Sequence, residues 1–189
     1  TAAYSGGGVS ADYSSPIIRN TVFTNNTATF GYGGGVYCGG LFTTPTITNC
    51  TFVYNSAYYD GGGIYCDYDV AVLVTNCILY YNSGAYDSQI SSGMINPPTY
   101  NCIQDWTFGG TGNISTNPSL KADNYHLNWD SPCRDTGDPE GDFSGQTDID
   151  NQRTPVGVKW DMGADESRAQ TVNYRSIGSA GPSSVGAVT

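Results

Sequence analysis

The sequence from Gly33 to Asp60 reads GGGVYCGGLFTTPTITNCTFVYNSAYYD, and the sequence from Gly61 to Asp87 reads GGGIYCDYDVAVLVTNCILYYNSGAYD. The two stretches align along their whole length. A weaker copy, GGGVSADYSSPIIRNTVFTNNTATFGY, precedes them from Gly6 to Tyr32. Each copy is about 27 residues long, and a repeat of nearly fixed period indicates an architecture of stacked units.

Several positions keep their residue type from copy to copy. An apolar residue follows the glycines, one Asn precedes a short apolar pair, and a second Asn follows that pair. A degraded fourth copy begins near Ser88. The recurring residues are Val9, Val36 and Ile64 after the glycines, Asn20, Asn49, Asn76 and Asn101 before the apolar pair, and Asn26, Asn55 and Asn82 after it.

Short β-branched runs between Gly, Asn and Ser predict strands and turns, with no helical periodicity. A unit this small cannot bury its own apolar face, but stacked units cover one another. The repeat therefore predicts an all-β, right-handed parallel β-helix (β-solenoid) of about four regular coils. Each Asn column is expected to hydrogen-bond along the stack. A propeller blade needs a longer repeat, and the leucine-rich pattern is absent.

The composition narrows the functional classes. The chain has 7 Lys and Arg against 17 Asp and Glu, for a net charge of −10. Nucleic acids and anionic membranes require clustered cations, so neither is an expected partner. No apolar stretch is long enough to span a bilayer. The aromatic content of 13% argues against a disordered chain.

The chain divides into three parts. Residues 1–112 contain the predicted coils, residues 113–166 are Asp-rich and form a predicted C-terminal cap, and residues 167–189 form a polar tail that is expected to dock as an inter-subunit strand. The tail carries two apolar patches that could add a strand to a sheet edge. The repeat begins at Gly6 with no polar cap before it, which predicts an open leading edge.

The segments GGGVYC, PTITNCTF and NSA resemble the repeats of secreted bacterial right-handed parallel β-helix proteins. Later segments, SPCRDTGDP, TDIDNQR and DMGADE, are similar to the end of such solenoids in surface proteins of the choice-of-anchor type. The resemblance spans roughly Gly6 to Glu166. It implies export to an extracellular or cell-surface location, with any signal peptide already removed.

The chain has six cysteines, which in an exported protein suggest disulfides. Two copies contain both Cys positions and the first copy contains neither, which favours bonds within one coil. The favoured pairs are Cys38–Cys50, Cys66–Cys77 and Cys102–Cys133. The alternative is a ladder of free buried thiols, with Cys38 over Cys66 and Cys50 over Cys77.

Tyrosines are the main candidates for a binding surface. Tyr37 is expected to stack on Tyr65, and Tyr54 on Tyr81, in neighbouring coils. An aromatic strip on a rigid face can bind sugar rings or another protein. The same pairs could instead only stabilise the sheet face.

A calcium site is the candidate cofactor site, because Asp138, Asp142, Asp148 and Asp150 supply hard oxygen ligands at short spacing. The alternative is that they cap loops. The first hundred residues contain one cation, Arg19, so a polysaccharide lyase site is not expected. The acids there, Asp12, Asp60, Asp67, Asp69 and Asp87, are interpreted as turn formers beside glycine. The only His, His126, is interpreted as an ordinary strand residue.

These observations favour a non-catalytic extracellular structural protein that assembles head-to-tail into a filament, with itself as partner. One alternative is a carbohydrate-binding adhesin domain whose ligands are glycans. A second alternative is a polysaccharide lyase or glycoside hydrolase, since the fold is shared with such enzymes and does not itself determine function.

Overall fold

A computed structural model describes residue 2 and residues 4–91, 96–153 and 159–167. These residues form short strands and no helix, and every pairing between named strands is parallel. The strands are β1 (Val9–Asp12), β2 (Ile17–Arg19), β3 (Val22–Thr24), β4 (Thr27–Ala28), β5 (Val36–Gly39), β6 (Thr46–Thr48), β7 (Thr51–Val53), β8 (Ser56–Ala57), β9 (Ile64–Cys66), β10 (Leu73–Thr75), β11 (Ile78–Tyr80) and β12 (Cys102–Ile103).

Strands from successive copies lie side by side in four sheets. The sheets have the orders β1-β5-β9, β2-β6-β10, β3-β7-β11-β12 and β4-β8. The register places Val9 beside Val36 and Val36 beside Ile64, as the repeat predicts. The all-β parallel solenoid is confirmed, with about three turns. The fourth copy is partial, since β12 is its single strand among the described residues.

The interior is filled by identical or similar side chains in register. The rings of Phe23 and Phe52 stack with centroids 4.6 Å apart and an interplanar angle of 2°. Leu79 and Ile103 continue the column in the next coils. Burial of one such apolar side chain stabilises the fold by about 2 kcal/mol.

The two Asn columns have different structural roles. In the second column, the Nδ2 of Asn26 donates to Asn55 Oδ1, and the Nδ2 of Asn55 donates to Asn82 Oδ1, each at 2.9 Å. This confirms the predicted ladder. The first column, Asn20, Asn49 and Asn76, instead has left-handed backbone with φ near 50°. Asn20 and Asn76 bond to the C-terminal segment, so the ladder prediction is wrong for this column.

The fourth copy is shifted by one residue from its predicted alignment. Cys102 pairs with Ile78, so Tyr100 rather than Asn101 follows Asn76 in the first Asn column. Tyr100 accordingly takes the left-handed conformation with φ 55°. Asn101 lies at the Cys77 position, where its Oδ1 accepts the Cys77 N–H at 2.7 Å. The sequence alignment does not show this shift, because Asn101-Cys102 repeats the Asn-Cys pair of the two preceding copies.

The C-terminal segment both continues the stack and runs along its flank. Ile114 forms a bridge with Cys102 at the end of the coils. Further on, Gly163 donates its N–H to Asn76 O at 2.7 Å, and Ala164 donates to Thr51 Oγ1 at 3.0 Å. A second apolar cluster joins the segment to the outer side of β7, β11 and β12; it contains Val53, Ile78, Tyr80, Cys102, Leu127, Cys133 and Met162.

The cysteines form contacts between coils rather than within them. The described structure contains six free buried thiols. Cys38 lies beside Cys66 in the register, and the pairing of Ile78 with Thr51 places Cys77 beside Cys50. The favoured pairs Cys38–Cys50 and Cys66–Cys77 are therefore wrong for this structure, and the ladder alternative describes it. Parallel stacking places like residues over one another, which brings each Cys to its counterpart one coil away.

Cys102 and Cys133 were expected to connect the last coil to the C-terminal segment. Their thiols are in contact, and the hydrogen bond from Cys102 together with burial raises the pKa of Cys133. The two residues are thus neighbours as predicted, but they are not bonded in the structure. The predicted inter-subunit strand lies outside the described residues, apart from Ser167.

Candidate functional site

The β1-β5-β9 sheet carries a cleft on its outer face, which we call the tyrosine–aspartate cleft. Its volume is about 450 Å³. Tyrosines and carboxylates from three successive coils converge there because the strands are in register. The lining residues are Asp12, Tyr13, Tyr37, Gly40, Leu41, Asp67, Tyr68 and Asp69.

Tyr37 and Tyr65 stack as predicted, with ring centroids 5.8 Å apart and an interplanar angle of 4°. The Tyr37 hydroxyl donates to Asp67 Oδ2 at 3.1 Å, which fixes the direction of the ring. Burial and the Asp67 carboxylate raise the pKa of Tyr65 to about 12, and they raise the pKa of Tyr37 as well. Both phenols therefore remain protonated at physiological pH and can donate hydrogen bonds.

Two loop tyrosines are far more exposed than this stacked pair. Tyr68 is 81% exposed and Tyr13 is 76% exposed. Tyr13 follows β1 with a φ of 49°, a left-handed conformation that is uncommon for a large side chain. The cleft thus combines a rigid sheet floor with aromatic rings that extend into solvent.

The other predicted tyrosine pair lies elsewhere. Tyr54 and Tyr81 stack with centroids 5.1 Å apart, as expected. They follow β7 and β11, which belong to a different sheet from Tyr37 and Tyr65. The Tyr81 hydroxyl accepts a hydrogen bond from Asn117 at 2.7 Å. The four predicted tyrosines therefore form two separate pairs, and only the Tyr37 pair adjoins the cleft.

The predicted calcium set is not brought together. Asp138 and Asp142 cap their own loops by accepting the backbone N–H of Glu140 and Ser144. Asp148 is buried and accepts the N–H groups of Asp150 and Gln152. Among the described residues, Asp150 alone of this set belongs to a cluster that could hold a metal ion.

That cluster consists of His126, Asp150 and Asp165, whose ligand atoms lie within 4.8 Å of one another. His126 Nε2 lies 3.0 Å from Asp150 Oδ2, and its Nδ1 lies 2.6 Å from Asp123 Oδ2. Burial lowers the pKa of His126, but the bonds to Asp123 and Asp150 outweigh it and raise the pKa.

The interpretation of His126 as an ordinary strand residue is wrong, because it lies in a bend just before the isolated Leu120–Leu127 bridge and its ring nitrogens contact carboxylates. Sequence reasoning missed Asp165 and the partnership with His126 because the two are distant in the chain. The short spacing of Asp123 and His126 was the one local feature of the sequence that could have indicated a contact between His126 and a carboxylate.

Asp60, interpreted from the sequence as a turn former, occupies the corner before the third glycine triplet. Its Oδ1 accepts the N–H of Tyr86 at 3.0 Å and that of Asp87 at 3.4 Å. These bonds fit the interpretation of Asp60 as a turn-forming residue. Asp12, Asp67 and Asp69 differ from it because they line the tyrosine–aspartate cleft.

Residues 49–67 match the family model of the Chlamydia polymorphic membrane protein repeat. They run from Asn49 through β7, β8, the glycine corner and β9 to Asp67, so the match covers 19 residues, less than one full coil. No curated protein and no solved structure shows significant similarity to the chain. The matched repeat and the parallel solenoid together fit a bacterial β-helix repeat protein of the cell-surface kind. The described residues include no helix long and apolar enough to cross a bilayer.

Proposed function

We propose that this chain is a non-catalytic, extracellular glycan-binding domain of a bacterial surface protein, and that the tyrosine–aspartate cleft is its binding site. The observation that carries the proposal is the hydrogen-bonded pair of Tyr37 and Asp67 in the floor of a cleft with exposed tyrosines at its rim. Aromatic faces pack against the apolar faces of sugar rings, and carboxylates accept hydrogen bonds from sugar hydroxyls.

The charge of the cleft selects among glycans. Asp12, Asp67 and Asp69 line it, and no cation is among its described lining residues. Uronate polymers would be repelled by these carboxylates, whereas neutral sugars and amino sugars would not. We therefore propose neutral or amino-sugar glycans as ligands, which also disfavours a uronate-cleaving lyase.

A glycan array followed by calorimetry tests the proposal. Tyr68→Ala and Asp69→Asn are expected to weaken binding of the selected glycan by about tenfold, a change of about 1.4 kcal/mol. Tyr86→Ala is the matched control, since Tyr86 is also exposed but lies outside the cleft. Binding that is equally strong in all three variants would contradict the assignment. Release of reducing ends from the bound glycan would replace it with the glycoside hydrolase alternative.

Head-to-tail self-assembly is a second candidate, supported by the edge strands. Among the described residues, β1, β2 and β3 have a parallel partner on one side only. Val9 donates its N–H to Gly35 O, so the Ser10 N–H points to the opposite side by the alternation of a strand. Unpaired edges of this kind accept strands from other chains.

Light scattering and negative-stain images distinguish the two candidates. Filaments in the unmodified protein that shorten in Ser10→Pro would support assembly, because proline removes the outward N–H from an edge position that tolerates it. A monomer at high concentration would contradict assembly and leave the glycan proposal intact.

A further inference from the structure

The C-terminal segment contains a second cleft that is separate from the proposed glycan site. Its volume is about 860 Å³, and Lys121, Asp123, His126, Asp150 and Asp165 are among its lining residues. Three carboxylates thus surround one imidazole. The three segments that carry the cluster are distant in sequence and have little regular secondary structure.

When the imidazole is neutral, one of its two contacts with carboxylates has no proton in it. A neutral imidazole has a single N–H, so it can donate to Asp123 or to Asp150 but not to both. With Nδ1–H donating to Asp123 at 2.6 Å, the lone pair of Nε2 faces the Asp150 carboxylate at 3.0 Å. A cation between Nε2 and Asp150 turns this repulsive contact into coordination.

Asp165 supplies an independent observation. It is 3% exposed, and its Oδ2 accepts the Leu127 N–H at 2.8 Å. One of its carboxylate oxygens lies within 4.8 Å of ligand atoms of both His126 and Asp150. An ionised carboxylate in a residue this buried is costly unless a charge partner lies beside it.

We propose that His126, Asp150 and Asp165 bind a divalent first-row transition metal of the Zn²⁺ class, and that Asp123 orients the imidazole. One imidazole nitrogen and two carboxylate oxygens are ligands that Zn²⁺ accepts. Calcium sites are built from oxygen ligands, so the imidazole argues against Ca²⁺. A carboxylate on the second ring nitrogen is the usual outer partner of a metal-bound His.

The bound ion would connect three parts of the C-terminal segment that otherwise share few regular hydrogen bonds. Asp148 already fixes the loop that carries Asp150, by accepting the N–H groups of Asp150 and Gln152. A ligand that binds only the folded state stabilises it by mass action, so the melting temperature should rise with Zn²⁺ concentration.

Calorimetric titration of ZnCl₂ into untagged, EDTA-treated and dialysed protein tests the site. One ion per chain is expected, together with a higher melting temperature. Asp150→Asn and His126→Gln are expected to weaken binding at least tenfold, and Asp123→Asn by about 10- to 100-fold. Because Asp150 is exposed, Asp150→Asn tests the site without endangering the fold.

Asp142→Asn is the matched control, since Asp142 is an exposed carboxylate of the same segment that only caps its loop. It should bind Zn²⁺ as the unmodified protein does. Co²⁺ should give visible absorption bands that Asp150→Asn removes. The absence of saturable Zn²⁺ binding would overturn the proposal and assign the cluster to a doubly protonated His126. So would binding in Asp150→Asn and His126→Gln that is as strong as in the unmodified protein.

Discussion

Asn55 uses its full side-chain hydrogen-bonding capacity inside the solenoid. Its Oδ1 accepts the N–H and the Nδ2–H of Asn26, and its Nδ2 donates to Phe23 O and to Asn82 Oδ1. The residue is 1% exposed. The amide therefore joins three successive coils at a position where no water competes for the bonds.

Asn55→Ala should lower the free energy of unfolding by about 3 kcal/mol, because it leaves several buried donors and acceptors without partners. Urea unfolding followed by circular dichroism measures the change. Asn25→Gly is the control: Asn25 is exposed, has a left-handed backbone that glycine accepts, and should change the free energy by less than about 1 kcal/mol. Equal losses in both variants would show that the ladder is not a source of stability.

The sequence predicts that both Asn columns recur, but not that they differ in role. Asn26, Asn55 and Asn82 recur because an amide can donate and accept along the stack. Asn20, Asn49 and Asn76 recur because Asn tolerates the left-handed region better than most residues. Both demands select the same residue type, so spacing alone cannot separate them. The structure separates them by φ and by hydrogen-bond partner.

At the level of strands, parallel register determines which cysteines can meet. Cys38 on β5 lies beside Cys66 on β9. The hydrogen bond from Cys38, together with burial, raises the pKa of Cys66, and burial together with Cys50 raises the pKa of Cys77. A raised thiol pKa keeps the thiolate, which is the reactive form, scarce at neutral pH.

Mild oxidation followed by non-reducing peptide mapping tests this register. The expected cross-links are Cys38–Cys66, Cys50–Cys77 and Cys102–Cys133, since each thiol contacts that partner. Alkylation of the reduced native protein should be slow, and denaturant should make all six thiols reactive. Recovery of a Cys38–Cys50 peptide would contradict the register and restore bonding within a coil.

At Gly163 the C-terminal segment lies directly against the sheet. Its φ is +104°, and a Cβ built there would lie 2.7 Å from Ile78 Cδ1 and 2.9 Å from Thr51 Oγ1. Gly163→Ala should therefore destabilise the protein by about 2 kcal/mol or more, from backbone strain and steric overlap together.

Gly145→Ala separates those two causes in the same segment. Gly145 also has positive φ, +75°, but a Cβ there would meet nothing within 4 Å. Gly145→Ala should lower the free energy of unfolding in urea by about 1 kcal/mol, which is the contribution of backbone strain alone. If Gly163→Ala and Gly145→Ala lower the free energy of unfolding equally, steric overlap at Gly163 makes no measurable contribution to the loss.

Across the whole molecule, predictability follows the repeat. The first three coils, their register and the stacked pairs of Tyr37 with Tyr65 and Tyr54 with Tyr81 could be predicted, because a period constrains each position several times. The C-terminal segment has no period, so its candidate ligands depend on long-range contacts. Asp150 and Asp165 reach His126 through turns whose directions are not encoded by any local pattern.

Charge also acts at the scale of the whole molecule. The net charge is −10, so repulsion opposes the compact state at neutral pH. Ionisation of Asp161 also opposes folding at neutral pH. Burial raises the pKa of this carboxyl, although N–H groups of Asp135 and Ser167 partly offset the effect. A folded-state pKa above the unfolded value means that the favourable contribution of Asp161 is complete below an unfolded pKa of about 3.9. That contribution is lost as the pH rises through the folded value.

The free energy of unfolding in urea and metal-free buffer should therefore fall as the pH rises from about 4 to about 7. Asp161→Asn should give a shallower slope over that range, because the residue no longer ionises, and added salt should reduce only the part caused by net charge. In stronger acid the trend should reverse once groups such as Asp142 protonate, whose pKa is lowered by its bonds to Ser144. Stability that rose between pH 4 and pH 7 would contradict the prediction and show that carboxyls with a lowered pKa outweigh the net charge. A slope unchanged in Asp161→Asn would show that Asp161 does not ionise in the folded protein over this range.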